Sequence, residues 1–212
     1  MKKTITLFTV LLAFCAAAGN TLLLDMESVA SITSKGGKFH GGEFGEGPRV
    51  AEAISGGNRA FVAGGDRDGI ELPVSVLNLS QGSISLYFRI NKNAAVGKEC
   101  RFVTALGTMP YYNLFAVGVV PLANGKCDIN FNLIGSKGQK NAARSIKVKN
   151  FPLEKEAFYH LVATWKNLNS GKADASVKLY LDGKLIGQRS KEVISLGDIG
   201  KKLFIGSTDL KS

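Results

Sequence analysis

Phe158-Tyr159-His160-Leu161-Val162-Ala163-Thr164-Trp165, followed by Val177-Lys178-Leu179-Tyr180-Leu181-Asp182-Gly183-Lys184-Leu185-Ile186-Gly187, decides the fold. In the first run Leu161, Ala163 and Trp165 alternate with His160, Val162 and Thr164. In the second, Val177, Leu179 and Leu181 alternate with Lys178, Tyr180 and Asp182. Successive side chains of a strand point to opposite faces, so each run reads as a strand with one buried face. Asp182-Gly183 suits a tight hairpin, because both residues tolerate positive φ.

The same reading extends outward. Ile84, Leu86, Phe88 and Ile90 point one way, and Ser83, Ser85, Tyr87 and Arg89 the other. Further strands are expected at 21–25, 60–62, 102–106, 115–120, 128–134, 145–148 and 203–205. Asn124-Gly125 marks a turn between the fourth and fifth of these. The 25 glycines are spread along the chain and fit its many turns. No long run has the period of a helix, and short strands at near-regular spacing predict an all-β sandwich or barrel. Residues 34–69 are Gly-rich and weakly patterned, which suits long loops.

The first residues read as a leader. Lys2 and Lys3 precede an apolar run over 5–14, then Cys15 and the small residues Ala16-Ala17-Ala18-Gly19. This is the layout of a secretory signal peptide, so residues 1–19 are expected to be removed and 20–212 to form one domain. An alternative makes Cys15 a lipidation site, but bulky Phe14 stands where a small residue is usual. The apolar run is too short to span a bilayer, and no later stretch is a membrane helix. The expected location is secreted, periplasmic or at the cell surface. Export takes the chain away from nucleic acid. The net charge of +10, two units of it in the leader, favours anionic partners instead. Cys100 and Cys127 form an even pair in a compartment that permits disulfides. A bridge between them is expected, worth about 3–4 kcal/mol in the chain-entropy model.

Residues 158–187 resemble the laminin-G-like family of concanavalin A-type lectin domains. Its signature is an aromatic-His-hydrophobic-Ala-x-Trp strand, then an apolar-x-Leu-Tyr-x-Asp-Gly hairpin. Leu203-Phe204-Ile205-Gly206-Ser207 is similar to the next family strand. Residues 82–90 and 22–25 are similar to earlier ones, with Tyr87 where Trp is common. The resemblance implies an antiparallel jelly-roll sandwich of two sheets that binds sugars, glycosaminoglycans or proteins, sometimes through calcium. It also implies a further strand beyond Ser212 carrying Gly-x-Ile-Asp. Either the chain is a piece of a longer surface protein, or another segment fills that place.

Glycoside hydrolysis needs two carboxyls across the scissile bond. The glucanases of this fold carry them on one strand as Glu-x-Asp-x-x-Glu or Glu-x-Asp-x-Glu, and no such run occurs here. The strand around Asp128 has one acid, while Glu154 and Glu156 fall in a Pro-containing loop. The two histidines, His40 and His160, lack nucleophile or metal-ligand companions at a recognisable spacing. Asp66 and Asp68 lack the spacing and closing Glu of an EF-hand. The resemblance implies a calcium ligand at Asp25. Residues 135–150 contain Lys137, Lys140, Arg144, Lys147 and Lys149 and no acid, a composition suited to sulfate, phosphate or carboxylate groups; a solvated face is the plainer reading. Tyr111 and Tyr112 offer aromatic area for a sugar ring or for packing on the end of the sandwich. The expectation is a module that binds carbohydrate or an extracellular protein and lacks catalysis. The alternatives are a glycoside hydrolase of the same fold or a structural fragment.

Overall fold

The computed structural model describes residues 6–9, 12–13, 23–24, 32–33, 36–41, 43–46, 59–63, 68–91, 94–108, 112–136, 143–154 and 156–206. Their strands run in chain order as β1 (Thr6–Thr9), β2 (Leu12–Ala13), β3 (Leu23–Leu24), β4 (Lys38–Phe39), β5 (Glu43–Glu46), β6 (Arg59–Ala63), β7 (Ile70–Pro73) and β8 (Gln81–Arg89). Then follow β9 (Cys100–Thr108), β10 (Tyr112–Pro121), β11 (Lys126–Ile134), β12 (Ile146–Pro152), β13 (Phe158–Lys166), β14 (Ala175–Leu181), β15 (Lys184–Glu192) and β16 (Lys202–Ile205). They build two antiparallel seven-stranded sheets, ordered β15-β14-β13-β8-β1-β6-β5 (sheet I) and β12-β11-β10-β9-β16-β7-β4 (sheet II). The expected all-β two-sheet sandwich is therefore what forms.

The period-two runs lie where their alternation puts them. Ile84, Leu86 and Phe88 of β8, Leu161, Ala163 and Trp165 of β13, and Val177, Leu179 and Leu181 of β14 are all buried. They meet Val103, Phe115, Val117, Ile129 and Phe131 of sheet II in one cluster. Trp165 crosses the interface, edge-on to Phe115 at 5.0 Å between ring centroids. Its indole N–H donates to the Asn78 carbonyl at 2.7 Å, so the one polar atom of this buried ring is satisfied. The hairpin after β14 turns at Asp182 (φ 47°) and Gly183 (φ 76°), the positive-φ pair the sequence asks for.

The two long edge strands of the sandwich, β12 and β15, lean on each other. Arg189 of β15 donates from Nε to the Ser145 carbonyl beside β12 at 3.0 Å. Gly187 of β15 leaves room for Ile146, whose Cγ2 would stand 2.5 Å from any Cβ built there.

Within the segment read as a leader, Thr6–Thr9 pairs with Phe61–Ala63 of β6 and with Tyr87–Phe88 of β8. Leu23–Leu24, in the expected opening strand, pairs with Leu12–Ala13. Cys15 and Asp25 lie outside the described residues, as do Lys137, Lys140, Asp66 and Tyr111.

The expected bridge between Cys100 and Cys127 does not form: both stand as thiols, one half-buried and one buried. Register gives the reason. Cys100 faces Val119 on one side of β10, and Cys127 faces Pro121 on the other side. A whole strand lies between them and they are offset by two residues along it, so their backbones stand about 12 Å apart. A disulfide needs Cα atoms within about 7 Å.

Candidate functional site

One irregularity in sheet II sorts its polar side chains. Val103 of β9 faces Val117 of β10, but the next pair along is Arg101 with Gly118, so β9 carries one extra residue, Phe102. This is a β-bulge. Strict alternation would put Arg101 on the same face as Val103, inside the core. The bulge resets the count: Phe102 and Val103 both reach the core, and Arg101 and Thr104 both face outward. Phe102 packs on Phe88 of sheet I, with ring centroids 4.7 Å apart.

Ladder partners share a face, so two rows run across the outer surface of sheet II. One is Arg101, Gly118, Asn130 and Lys147. The other is Lys38, Glu71, Phe204, Thr104, Ala116 and Asn132. The middle of this face is sheltered although polar: Thr104 is 0 % exposed, Asn130 7 %, Arg101 8 % and Asn132 8 %. Buried polar groups of this kind need partners.

Glu99, just before β9, supplies most of them. Its Oε2 accepts from Arg101 Nε at 2.7 Å. Its Oε1 accepts from Asn132 Nδ2 at 2.7 Å and from Asn130 Nδ2 at 3.4 Å. A carboxylate offers only lone pairs, so both amides turn their N–H groups toward it and their carbonyl oxygens away. Asn130 Oδ1 and Thr104 Oγ1 are buried and accept or donate no hydrogen bond. The cluster is thus organised but incomplete.

The far end of the same face is also polar. Glu71 Oε2 stands 3.1 Å from Lys202 Nζ and 3.3 Å from His40 Nε2. Across the ladder Glu71 is four spacings, about 19 Å, from Asn132, the residue Glu99 holds. Two glycosidase carboxyls stand about 5–9.5 Å apart, so these two cannot flank one glycosidic bond.

The sequence-derived basic group is only partly assembled. Lys147 and Lys149 are exposed on one face of β12, with Ile146 buried and Val148 packed on the core from the other face. Lys147 is the ladder partner of Asn130 and so borders the polar cluster. Arg144 instead meets Glu192, with Nε 2.9 Å from Oε2, and Arg189 shares that carboxylate at 2.8 Å. One carboxylate thus faces two guanidinium groups, and the trio keeps a net positive charge. On sheet I, His160 lies on the outer face, bonded through Nε2 to Ser85 Oγ at 2.7 Å and stacked on Tyr87 at 4.5 Å. Burial pushes its pKa below the ordinary imidazole range, against a smaller upward pull from Asp182. Asp182 accepts from the His160 backbone N–H and not from the ring. The Ser85 hydroxyl and the His160 ring, far apart along the chain, thus meet on the outer face of sheet I. Among the described residues no three His, Cys, Asp or Glu side chains gather as a metal cluster.

Glu99, Arg101, Thr104, Asn130 and Asn132 are the residues that sequence reasoning passed over. A signal existed in Asp128-Ile129-Asn130-Phe131-Asn132-Leu133, where two amides share a strand face.

A family model described as the concanavalin A-like lectin/glucanases superfamily matches residues 64–211. Among solved structures, an endo-β-1,4-glucuronan lyase from the fungus Trichoderma reesei is similar at 10 % identity and TM-score 0.44, over 78 % of this chain and 74 % of that one. The alginate lyase Aly36B is similar at 8 % identity and TM-score 0.39, over 68 % and 71 %. No curated protein matches the chain.

Proposed function

The chain belongs to the concanavalin A-like lectin/glucanases superfamily, and from that premise we propose that it is an exported carbohydrate-binding module without catalytic activity. Its ligand sits on the outer face of sheet II, around Glu99, Arg101, Thr104, Asn130 and Asn132. One observation carries the reading: a buried polar cluster, held in place by a single carboxylate, keeps two hydrogen-bonding atoms without partners. A group left so costs about 1–3 kcal/mol. A fold that only needed stability would fill these positions with apolar side chains. Sugars are the ligands that arrive with many hydroxyls and little charge. The separation of Glu71 from the Glu99 cluster favours holding a glycan over hydrolysing it.

The test is a glycan array probed with the purified protein, with and without a chelator. Retention of defined glycans, weakened by substitutions at Asn130 or Asn132, is the expected result. Loss of retention with chelator would add the calcium proposed at Asp25. Release of shortened or unsaturated oligosaccharides from a bound glycan would replace the binding role with an enzymatic one.

A further inference from the structure

We propose that the outer face of sheet I, over β8, β13, β14 and β15, is a second glycan-binding face, and that it takes a stretch of acidic polysaccharide. Sugar rings lie against Tyr87 and Tyr180, and carboxylate or sulfate groups meet Lys166 and Lys178. This goes beyond the site on sheet II and does not depend on it.

Of the two outer faces, this one is open. One ladder row runs Ser85, Val162, Tyr180 and Leu185, and the next pairs Tyr87 with His160. All six side chains are half-buried or exposed, and Leu185 is 47 % exposed, whereas Thr104 at the middle of the sheet II face is 0 % exposed. The ring faces of a sugar carry C–H groups, and an exposed aromatic surface with a polar tip receives them. Here that surface is held ready. Ser85 Oγ stands 2.7 Å from His160 Nε2, and the His160 ring stacks on Tyr87 with centroids 4.5 Å apart and planes 19° from parallel. A ring braced in this way loses little freedom when a ligand lands on it. Tyr180 is two ladder spacings across from Tyr87 and two residues along, so their backbones stand about 12 Å apart. That span suits a length of polymer, not a single sugar.

Charge selects among polymers. Lys178 follows on β14 two residues from Tyr180 and on the same face. Lys166 is one strand over and two residues further, with its backbone about 8 Å from that of Lys178. Arg89, at the other end of the face, is met by Glu156 at 3.8 Å and lies over the Phe158 ring. Among the described residues of these rows the one acid is Asp182, and its Oδ1 already accepts from the His160 backbone N–H at 2.8 Å. The face is therefore cationic beside its rings, which complements an anionic polymer. An ammonium is a point charge and does not choose by shape between carboxylate and sulfate.

The experiment is affinity electrophoresis of the full chain at low and high salt, in gels holding polygalacturonate, alginate, heparin, β-glucan or mannan. Four variants run beside it: the pair Lys166→Gln and Lys178→Gln, Tyr180→Ala, Tyr180→Phe, and, as a control of equal charge on the sheet II side, the pair Lys147→Gln and Lys149→Gln. The expected result is retention on at least one acidic polysaccharide, stronger than on the neutral ones and falling as salt screens the charges. Removing Lys166 and Lys178 weakens it about fivefold at low salt, more than removing Lys147 and Lys149 does. Tyr180→Ala weakens it about tenfold, while Tyr180→Phe, which keeps the ring, retains it. Should Tyr180→Ala fail to fold, the exposed lysine pair carries the test alone. Acidic retention untouched by the Lys166 and Lys178 pair, or lost only with Lys147 and Lys149, overturns this inference and leaves the carbohydrate-binding reading standing. So does retention on neutral polysaccharides alone. A dimer in sedimentation equilibrium that Tyr180→Ala dissolves, with no acidic retention, also overturns it, since the face would then be covered by a second copy. Failure to bind any polysaccharide overturns both readings.

Discussion

Gly118→Ala is the sharpest test of how the fold makes its outer face. A Cβ at Gly118 would fall on the Cys100 carbonyl oxygen, well inside contact distance, and 3.0 Å from Arg101 Cα. Both obstacles are backbone of the bulged strand, so no side-chain rotation relieves them. Overpacking of this kind costs typically 1–3 kcal/mol, and rigid obstacles argue for the upper end. For a domain of this size each kcal/mol shifts the midpoint by about 2–4 °C, so Gly118→Ala is expected to melt about 6–12 °C lower. Gly125→Ala is the control. Its Cβ would meet nothing, and only the φ of 75° opposes it, at about 1–2 kcal/mol. The assay is thermal unfolding followed through Trp165, the only tryptophan in the chain, with glycan binding measured beside it. Gly118→Ala should lose both stability and binding, because β9 must back away and carry Arg101 and Glu99 with it. Gly125→Ala should melt about 2–8 °C lower and keep binding. A Gly118→Ala protein that melts like wild type would refute the bulge as the device that positions the cluster.

Trp165→Ala should cost about 3–5 kcal/mol in urea unfolding followed by circular dichroism, since it empties the contact with Phe115 and leaves the Asn78 carbonyl without its donor; a loss under 1 kcal/mol would contradict its place in the core. Peptide mapping after alkylation of the unfolded, unreduced protein should find label on both Cys100 and Cys127, and a linked peptide would contradict the strand spacing. Because burial lowers the His160 pKa, the unfolded chain takes the proton first as pH falls. Stability from this group is whole above about pH 6.5 and is lost as pH drops through the lowered value. His160→Gln should therefore flatten the acid side of the stability profile, whereas parallel profiles would exclude the mechanism.

How much was legible in the sequence depends on what each feature needs. Alternation is local, so the buried faces of β8, β13 and β14 could be read directly, down to Ile84, Trp165 and Leu179. The Asp182-Gly183 turn was equally legible, because its backbone demands are met by the residues themselves. The polar face was not. It depends on a one-residue bulge at Phe102, and a bulge breaks the parity that the reading relies on. Parity alone then assigns Arg101 to the core side. The partner of Arg144, Glu192, is distant along the chain and met only through the contact between sheets, so a run of cations looked more available than it is. The two cysteines fail for a related reason: their residues could be placed on strands, but not the strand that comes between them.

The seam between β12 and β15 bears on what the sheet edges offer to another chain. A bare sheet edge offers its carbonyls and amides to any passing chain of the same kind. Here the two longest edges, of 7 and 9 residues, face each other at one side of the sandwich. Arg189 occupies the Ser145 carbonyl from the opposite sheet. At the other side the edges are β4 and β5, of 2 and 4 residues. Strand-by-strand templating thus meets an interlocked flank on one side and edges of two and four residues on the other, so a newcomer gains few ladder bonds there. Among the described residues the longest edges of the two sheets thus shield each other along one flank.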